Sequence, residues 1–362
     1  MKILVSIYSL HRGGAERVVS RLSQEWAKEH EVVIALSDTS DIAYSYGGRI
    51  VDMDCGANEN LLKKAYMVLR RVGALRGILK EERPDTVITF MEGASIPAII
   101  ACTSLGMLDI LTVSVRNNPE ALHSLYQPFM RTLYRLPGRI VVNAEGIRDV
   151  LLEKYYLDPK KIDVISNPLD LADIEKKRRS ECVVAEVSSR TIIAAGRLVP
   201  QKGFDTLIRA YVHARKDERM GDTNLVIMGE GSERKMLEGL IRELHMEKNV
   251  TLPGAVENPF ACFAKAGAFV LSSRMEGMPN VLLEAMASGV PVVSTDCKYG
   301  PSEIIIHEEN GLLVPVDNEE ALKSAIVRMM EADEKAREMY INRSYDMLTA
   351  RSIKHIAPLW LV

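Results

Sequence analysis

SSRMEGMPNVLLEAMASGVPVVSTD, residues 272–296, sets two glutamates eight positions apart, Glu276 in a Gly/Pro-bearing patch and Glu284 inside an apolar run. In one continuous helix eight residues turn through about 800°, which leaves the carboxylates roughly 80° apart and about 12 Å along the axis. They would not converge. Pro279 fits a first helical turn, where its missing N–H costs nothing. Glu276 and Gly277 then lie in the loop before a helix, and Glu284 lies about a turn inside it. The loop carboxylate can fold back toward the pocket that the first-turn carboxylate faces. Backbone N–H groups of 278–281 open the helix and suit a phosphate. The plain alternative is that Glu284 is an exposed helix residue and Glu276 only favours the helix dipole. Leu282, Leu283, Ala285, Met286 and Ala287 argue against a solvated face around Glu284. The helix leads into VPVVSTD, a β-branched run that reads as a buried strand.

The same strand-then-helix rhythm runs outward in both directions. KILVSIY, EVVIALS, DTVITF, ILTVSV, RIVVNA and IDVISNP read as strands in the first half; TIIAAGR, NLVIMGEG, VTLPG, AFVLSS, PVVSTD, SEIII and GLLVPV do so in the second. Continuous apolar runs followed by helices indicate parallel sheet buried on both faces. The rhythm lapses in the charged stretch DLADIEKKRRSECVVAEVSS, 170–189, and then restarts. The fold class is therefore α/β, with two doubly wound parallel-sheet units, which a chain of 362 residues is long enough to build. Ligands of such sheets bind outside the carboxyl ends of the strands.

Composition excludes several classes. With 47% hydrophobic and 26% charged residues and a formal net charge of −3, the chain reads as a soluble globular protein and not as a nucleic-acid binder. Five scattered cysteines without C-x-x-C imply a reducing compartment, no disulfide frame and no zinc site. The start, MKILVSIYSLHRGGAE, lacks a cleavable signal. The longest uncharged run, 93–108, contains Pro97 and falls short of the roughly 18 apolar residues of a membrane span, so it reads as a buried helix. A cytoplasmic protein is expected.

Further candidate residues sit at strand-to-helix turns. In AAGRLVPQKGFDTLIRAY, Arg197 and Lys202 are five apart in one loop and can grip a diphosphate, Arg by its planar fork and Lys as a point charge. Two solvated loop cations are the bland alternative. In SIYSLHRGGAERVV, Gly13 and Gly14 place amides at a helix N-terminus and let a ligand approach the backbone. No G-x-G-x-x-G occurs there, which weakens a dinucleotide reading. MGEGSERKM carries Gly229 in a similar turn, and in TLPGAVENPF the backbone at Val256 could meet a nucleobase edge.

The pair Glu276 and Glu284, with seven residues between them in EGMPNVLLEAMASGVPVVSTD, resembles the E-x7-E signature of the retaining glycosyltransferases of family four. GGAER, GRLVPQKGFDTLIRAY, LVIMGEGSERKML, VTLPGAVEN, GPSEII and ENGLLVPVDN follow in the family's order, so the resemblance spans essentially the whole chain. Within the family it is most similar to bacterial enzymes that add hexoses or N-acetylhexosamines to lipid-linked oligosaccharides and surface polysaccharides. The resemblance implies a GT-B fold, two Rossmann-like domains facing a central cleft. Residues 1–168 plus about 345–362 would form the acceptor-binding domain and 169–344 the nucleotide-sugar-binding domain, with the apolar tail LWLV buried where the last helix returns. It further implies that Arg197 and Lys202 bind the donor diphosphate and Glu284 its ribose. Glu276 would contact hydroxyls of the transferred sugar, near the backbone of Gly277, Met278, Pro279, Asn280 and Val281. Gly13 and Gly14 would close over the reacting phosphate or acceptor, and no metal or other cofactor is called for.

One departure stands out. Many relatives carry a histidine at the end of the strand LTVSV, where this chain has Arg116, Asn117, Asn118 and Pro119. Arg116 is then a candidate for an acceptor hydroxyl or phosphate, or a cap or ion pair at the strand end. Glu92, in TFMEGAS, is a second candidate acceptor contact. Two basic stretches with interspersed apolar residues, 63–83 and 126–139, suit an anionic leaflet or a solvated helix face; the second sets Arg131, Arg135 and Arg139 beside Tyr126, Phe129 and Tyr134. The reading reached from sequence is a retaining, metal-independent transferase that moves a hexose or N-acetylhexosamine from a UDP-sugar to a hydroxyl of a lipid-linked glycan. It would work peripherally at the inner face of the cytoplasmic membrane. A transferase acting on a soluble acceptor, or a non-catalytic nucleotide-sugar-binding subunit, would share the donor motifs.

Overall fold

A computed structural model describes residues 1–56, 61–121 and 127–361, with side chains of 61–65 and 121 left aside. The chain divides into two compact units, Met1–Pro168 with Ile353–Val362, and Leu169–Ser352. The return to the first unit falls at Ile353, later than the position near 345 expected from sequence. Helix Glu334–Thr349 stays with the second unit because it packs on helix Asn280–Ala287, where the Tyr345 hydroxyl donates to the Ala287 carbonyl at 2.9 Å.

The first unit holds seven strands: β1 (Lys2–Ile7), β2 (Glu31–Leu36), β3 (Arg49–Asp52), β4 (Thr86–Phe90), β5 (Leu111–Val115), β6 (Arg139–Val142) and β7 (Ile162–Val164). They form one sheet in the order β3-β2-β1-β4-β5-β6-β7, every pair parallel. β3 was not legible as a strand: it is four residues long and only half covered, as an edge strand can be. The uncharged run became the buried helix Glu92–Leu105. Its partner on the same face, helix Leu61–Glu82, buries Glu82 between Lys2 and Arg49.

The second unit has six strands: β8 (Thr191–Ala195), β9 (Asn224–Met228), β10 (Val250–Gly254), β11 (Ala268–Leu271), β12 (Val292–Thr295) and β13 (Leu312–Val314). The order is β10-β9-β8-β11-β12-β13, again all parallel. SEIII, expected as a strand, is instead the short helix Pro301–Ile304, opened by a proline suited to a first helical turn. The charged stretch after β7 contributes helix Leu171–Arg178 and no strand. Each sheet carries its own core. Ile3, Val5, Ile34, Ile88 and Trp360 lie in one, and Ile192, Leu207, Ile227, Val270 and Ile326 in the other.

The expectation of wholly free thiols is corrected. Cys182 and Cys262 form a disulfide, while Cys55, Cys102 and Cys297 are free and buried. The pairing was invisible in sequence because 80 residues separate the two; they meet because helix Leu171–Arg178 packs on helix Pro259–Lys265. Among the described residues no helix is long and apolar enough to cross a membrane.

Candidate functional site

In both sheets the strand order reverses once, between β8 and β11 in the second unit and between β1 and β4 in the first. Loops leaving two neighbouring strands on opposite sides of such a point diverge and leave a crevice at the carboxyl ends. The sequence candidates fall around these two places.

In the second unit the loop after β8 carries Arg197, passes through the turn Pro200–Lys202 and enters helix Phe204–Ala214 at Gly203. Gly203 has φ +60°, and a Cβ there would lie 2.2 Å from the Ser272 carbonyl oxygen. The loop after β11 carries Ser273, Arg274 and Glu276. Glycine at 203 lets the two loops touch. Lys202 Nζ donates to Glu276 Oε1 at 2.5 Å, and Ser273 Oγ donates to the same oxygen at 2.6 Å. Both side chains of the ion pair are nearly buried, at 13% and 9% exposure. A third loop, after β12, clamps Glu276 through its backbone: Glu276 N–H donates to the Lys298 carbonyl at 3.0 Å, and Tyr299 N–H to the Glu276 carbonyl at 2.8 Å. Burial, followed by the Glu276 charge beside it, pushes the Cys297 thiol up to about 12. That cysteine is inert packing under the carboxylate.

Arg274 was missed in sequence. Its guanidinium donates to Asp205, Asp317, Thr206 and the Pro200 carbonyl, while Gln201 Nε2 donates to the Met275 carbonyl at 2.7 Å. These bonds lock the loop bearing Lys202 to the loop bearing Glu276. An arginine two residues before a candidate glutamate was the only available signal, and it does not name its partners.

Glu284 is 1% exposed, so the exposed-helix alternative is excluded. It sits in the second turn of helix Asn280–Ala287, with Pro279 at the cap position and not in the first turn. The helix therefore opens with the amides of Asn280 and Val281; Pro279 has no N–H to offer, and Met278 is buried beneath them. Gly300, at φ +95°, lets the loop after β12 pass close to Gly277, whose carbonyl oxygen would stand 2.6 Å from a Cβ at 300. Arg197 is exposed and, among the described residues, has no ion-pair partner. Gly229 closes the end of β9 at φ +142°, its backbone packed so tightly on Gly196 that a Cβ would lie 1.8 Å from that carbonyl oxygen. Lys202 is thus tied to Glu276, and Gly229 to Gly196, the residue before Arg197. Val256 stands apart on the loop after β10, the outermost strand.

In the first unit Gly13 caps helix Gly14–Trp26, but the approach of a ligand to its backbone, expected from sequence, is obstructed. The Glu16 carboxylate folds over Gly13, so near that a Cβ would meet its Oε2 at 2.1 Å. A carboxylate there complements the positive helix end, and an incoming phosphate would have to displace it. Glu92 opens helix Glu92–Leu105 behind Met91, which holds φ +70°. Its side chain is 6% exposed with Oε1 unpartnered among the described residues, and burial raises its carboxyl above the ordinary range. Arg116 follows β5 and is 5% exposed. It makes no ion pair among the described residues; its Nη2 donates to Asn167 Oδ1, and burial draws its guanidinium below the usual range. Among the described residues the ion-pair alternative for Arg116 is therefore not met. Among the described residues no cluster of three or more His, Cys, Asp or Glu side chains could hold a metal ion.

The basic stretches are only partly available at the surface. Tyr134 is wholly buried; Arg71 stacks over the Tyr8 ring and donates to the Cys55 carbonyl; Arg139 is held by Asp163 and the Leu359 carbonyl. Arg70, Arg131 and Arg135 remain exposed, with Tyr66, Leu69 and Phe129. Tyr126 and the side chains of Lys63, Lys64 and Ala65 lie outside the described residues.

Two parallel sheets that each reverse once, with two glutamates and two cations on the segments that follow β8 and β11, have the architecture of the GT-B class of transferases. Residues 176–347 match the family model for glycosyl transferases group 1, and residues 12–173 match that for glycosyltransferase family 4. The chain is a member of this glycosyltransferase family. It is 32% identical over 355 residues to N-acetylgalactosamine-N,N'-diacetylbacillosaminyl-diphospho-undecaprenol 4-alpha-N-acetylgalactosaminyltransferase of Campylobacter jejuni, covering 95% of this chain and 93% of that one. A second Campylobacter jejuni enzyme, GalNAc-alpha-(1->4)-GalNAc-alpha-(1->3)-diNAcBac-PP-undecaprenol alpha-1,4-N-acetyl-D-galactosaminyltransferase, is 28% identical over 364 residues, 100% of this chain and 97% of its own. Among solved structures, Anabaena HepE in complex with UDP superposes with a TM-score of 0.80 at 18% identity, covering 100% of this chain and 98% of that one, which establishes the shared GT-B fold.

Proposed function

We propose that the chain transfers a hexose or N-acetylhexosamine, N-acetylgalactosamine foremost, from a UDP-sugar to a hydroxyl of a glycan carried on a polyprenyl diphosphate. The observation that carries the donor half is the buried Lys202–Glu276–Ser273 cluster at the reversal of the second sheet. The acceptor class is supported by the full-length similarity to enzymes whose own acceptors are undecaprenol-linked.

In this reading Arg197 and Lys202 hold the diphosphate together with the amides at the start of helix Asn280–Ala287. Glu284 accepts the ribose hydroxyls and Glu276 the hydroxyls of the transferred sugar, with Gly229 and Val256 lining the nucleotide's path. Gly13, Glu92 and Arg116 belong to the acceptor side. The bond from the anomeric carbon to the diphosphate oxygen breaks while the acceptor oxygen bonds on the same face, and the acceptor's proton passes to the departing diphosphate. Stereochemistry is thereby retained without a covalent enzyme intermediate. Fixed cations and amides neutralise the developing charge, so the reaction calls for no divalent ion. Arg70, Arg131 and Arg135 with Tyr66, Leu69 and Phe129 form the surface that would meet an anionic leaflet from the cytoplasmic side.

The test is transfer of radiolabelled sugar from UDP-N-acetylgalactosamine, UDP-N-acetylglucosamine, UDP-glucose and UDP-galactose to organic-extractable lipid-linked glycan, in EDTA and after its replacement by magnesium. Label in the lipid fraction from at least one donor, undiminished by EDTA, supports the proposal. Hydrolysis or transfer solely to soluble sugars refutes the acceptor class.

A further inference from the structure

Of the neighbouring strands β4, β5 and β6 of the first unit, β4 ends at Phe90, and Arg116 and Asn143 directly follow β5 and β6, with Asn167 shortly beyond β7. All four side chains are buried. Asn143 Nδ2 donates to the Arg116 carbonyl at 3.5 Å, which fixes the backbone from which the arginine projects. The Arg116 Cζ lies 5.7 Å from the centre of the Phe90 ring and 5.8 Å from that of Trp360, and these two rings stack at 5.2 Å with 27° between their planes. Trp360 comes from the end of the chain, carried back by helix Ile353–Leu359.

Among the described residues the unpaired groups of this arrangement are two donors and one neutral amide oxygen, Asn143 Oδ1, whose own Nδ2 is spent on the Arg116 carbonyl. A guanidinium stays charged and brings five N–H donors in a planar fork. Here one terminal nitrogen is satisfied by a neutral amide oxygen, and the aromatic faces supply only a weak quadrupolar attraction. Arg116 Nη1 is buried with no hydrogen-bond partner among the described residues, and so is Trp360 Nε1. A buried charge without a counter-charge is strongly unfavourable unless an anion joins it. Two unpaired donors, one of them cationic and carried on a guanidinium whose Cζ lies 5.8 Å from the centre of the other's ring, call for a ligand that is negative and rich in oxygen.

We propose that Arg116 and Trp360 form an anion site at the carboxyl end of the first sheet that takes phosphoryl oxygens, with Phe90 holding the guanidinium in place. The inference deepens the proposed acceptor role of Arg116 and rests on it for the choice of phosphoryl over carboxylate. Two diphosphates occur in that reaction, the donor's and the lipid-linked acceptor's, and both present the same oxygens. Trp360 is a ligand-touching residue here, so the C-terminal tail completes the site as well as packing the core.

The chain has two tryptophans, so Trp26→Phe leaves Trp360 as the sole indole emitter. That variant is titrated with farnesyl diphosphate and, separately, with UDP, against sodium chloride of matched ionic strength. A saturable change in Trp360 emission with either diphosphate, weakened at least tenfold by adding Arg116→Gln, supports the site. A response to farnesyl diphosphate alone assigns it to the acceptor, and a response to UDP alone to the donor. Because Trp26 Nε1 bonds the Ala357 carbonyl at 3.0 Å, the same tail is loosened by Trp26→Phe. Calorimetric titration of the unaltered chain and of Arg116→Gln with farnesyl diphosphate under saturating UDP provides the second measurement. Equal affinities within twofold in both, or no response from either diphosphate, overturn the inference. UDP affinity of the second unit, read by thermal shift, is unaffected by such a result, so failure of the anion site is distinguishable from failure of the donor assignment.

Discussion

Lys202 Nζ stands 2.5 Å from Glu276 Oε1, and the two residues leave the ends of β8 and β11, the neighbouring strands at which the second sheet reverses. The ion pair is a product of topology: the residues are 74 apart in the chain and meet only because those strands pair. Ser273 bonds the carboxylate, the clamp formed by Lys298 and Tyr299 holds the Glu276 backbone, and Arg274 holds the lysine's loop. A nucleotide diphosphate would share a cation whose position is already fixed, the condition under which a donor aimed at developing charge is most effective.

Lys202→Ala is expected to lower turnover by about 10²–10³, the usual effect of removing one such donor. Breaking a buried pair also leaves Glu276 uncompensated, which destabilises the fold. Rates are therefore compared below the variant's own melting temperature. A fall of less than about threefold would remove Lys202 from the mechanism.

Glu284→Ala should act on the nucleotide and less on the chemistry. Hydrogen bonds to a charged group contribute about 1.5–3 kcal/mol, roughly 10- to 100-fold in the dissociation constant of UDP by calorimetry. An unchanged UDP affinity would show that buried Glu284 serves the helix alone.

At Gly229 the prediction is steric. A methyl group there would lie 1.8 Å from the Gly196 carbonyl oxygen, at a φ of +142° that side chains rarely adopt. The Gly229→Ala chain has to displace the loop that presents Arg197. It should melt several degrees lower and bind UDP at least tenfold more weakly. A variant that keeps both properties would show that the close approach of β8 and β9 has no part in donor binding.

Glu92 carries a pH signature. Burial raises its carboxyl above the ordinary 4.5, so between these values the folded chain holds more protons than the unfolded one, and stability falls as pH rises through that window. Above it the penalty is complete. Glu92→Gln, which keeps the shape without the charge, is expected to raise the melting temperature near pH 7.5, with the gain vanishing near pH 4, where both forms are neutral. If Glu92 also contacts the acceptor, transfer falls as stability rises, the trade-off expected of a functional group held in an unfavourable place. A stability gain equal at both pH values would contradict burial of the charge as the cause.

What the sequence disclosed followed from strong, local patterns. Continuous β-branched runs announced β1, β4, β5, β8 and β12, and the spacing of Glu276 and Glu284 around Pro279 placed one carboxylate in a loop and the other in a helix. The failures are long-range or marginal. SEIII has a strand's composition, yet Pro301 turns its first residues into a helix, and Ile306 is 60% exposed. The Cys182–Cys262 bridge, the fourfold anchoring of Arg274 and the Arg116–Trp360 contact each join residues that periodicity cannot relate. Tyr134 looked like a surface aromatic among arginines, but it is wholly buried, since helix Gln127–Leu133 turns its Met130 side and the following tyrosine inward.

The most direct test of donor binding in the second unit is a crystal structure with an intact UDP-hexose bound. The predicted result places the diphosphate within hydrogen-bond distance of Arg197 and Lys202, the ribose hydroxyls on Glu284 and the sugar hydroxyls on Glu276. Nucleotide density elsewhere on the molecule, with Lys202 and Glu276 still paired and no ligand oxygen near either glutamate, would contradict it.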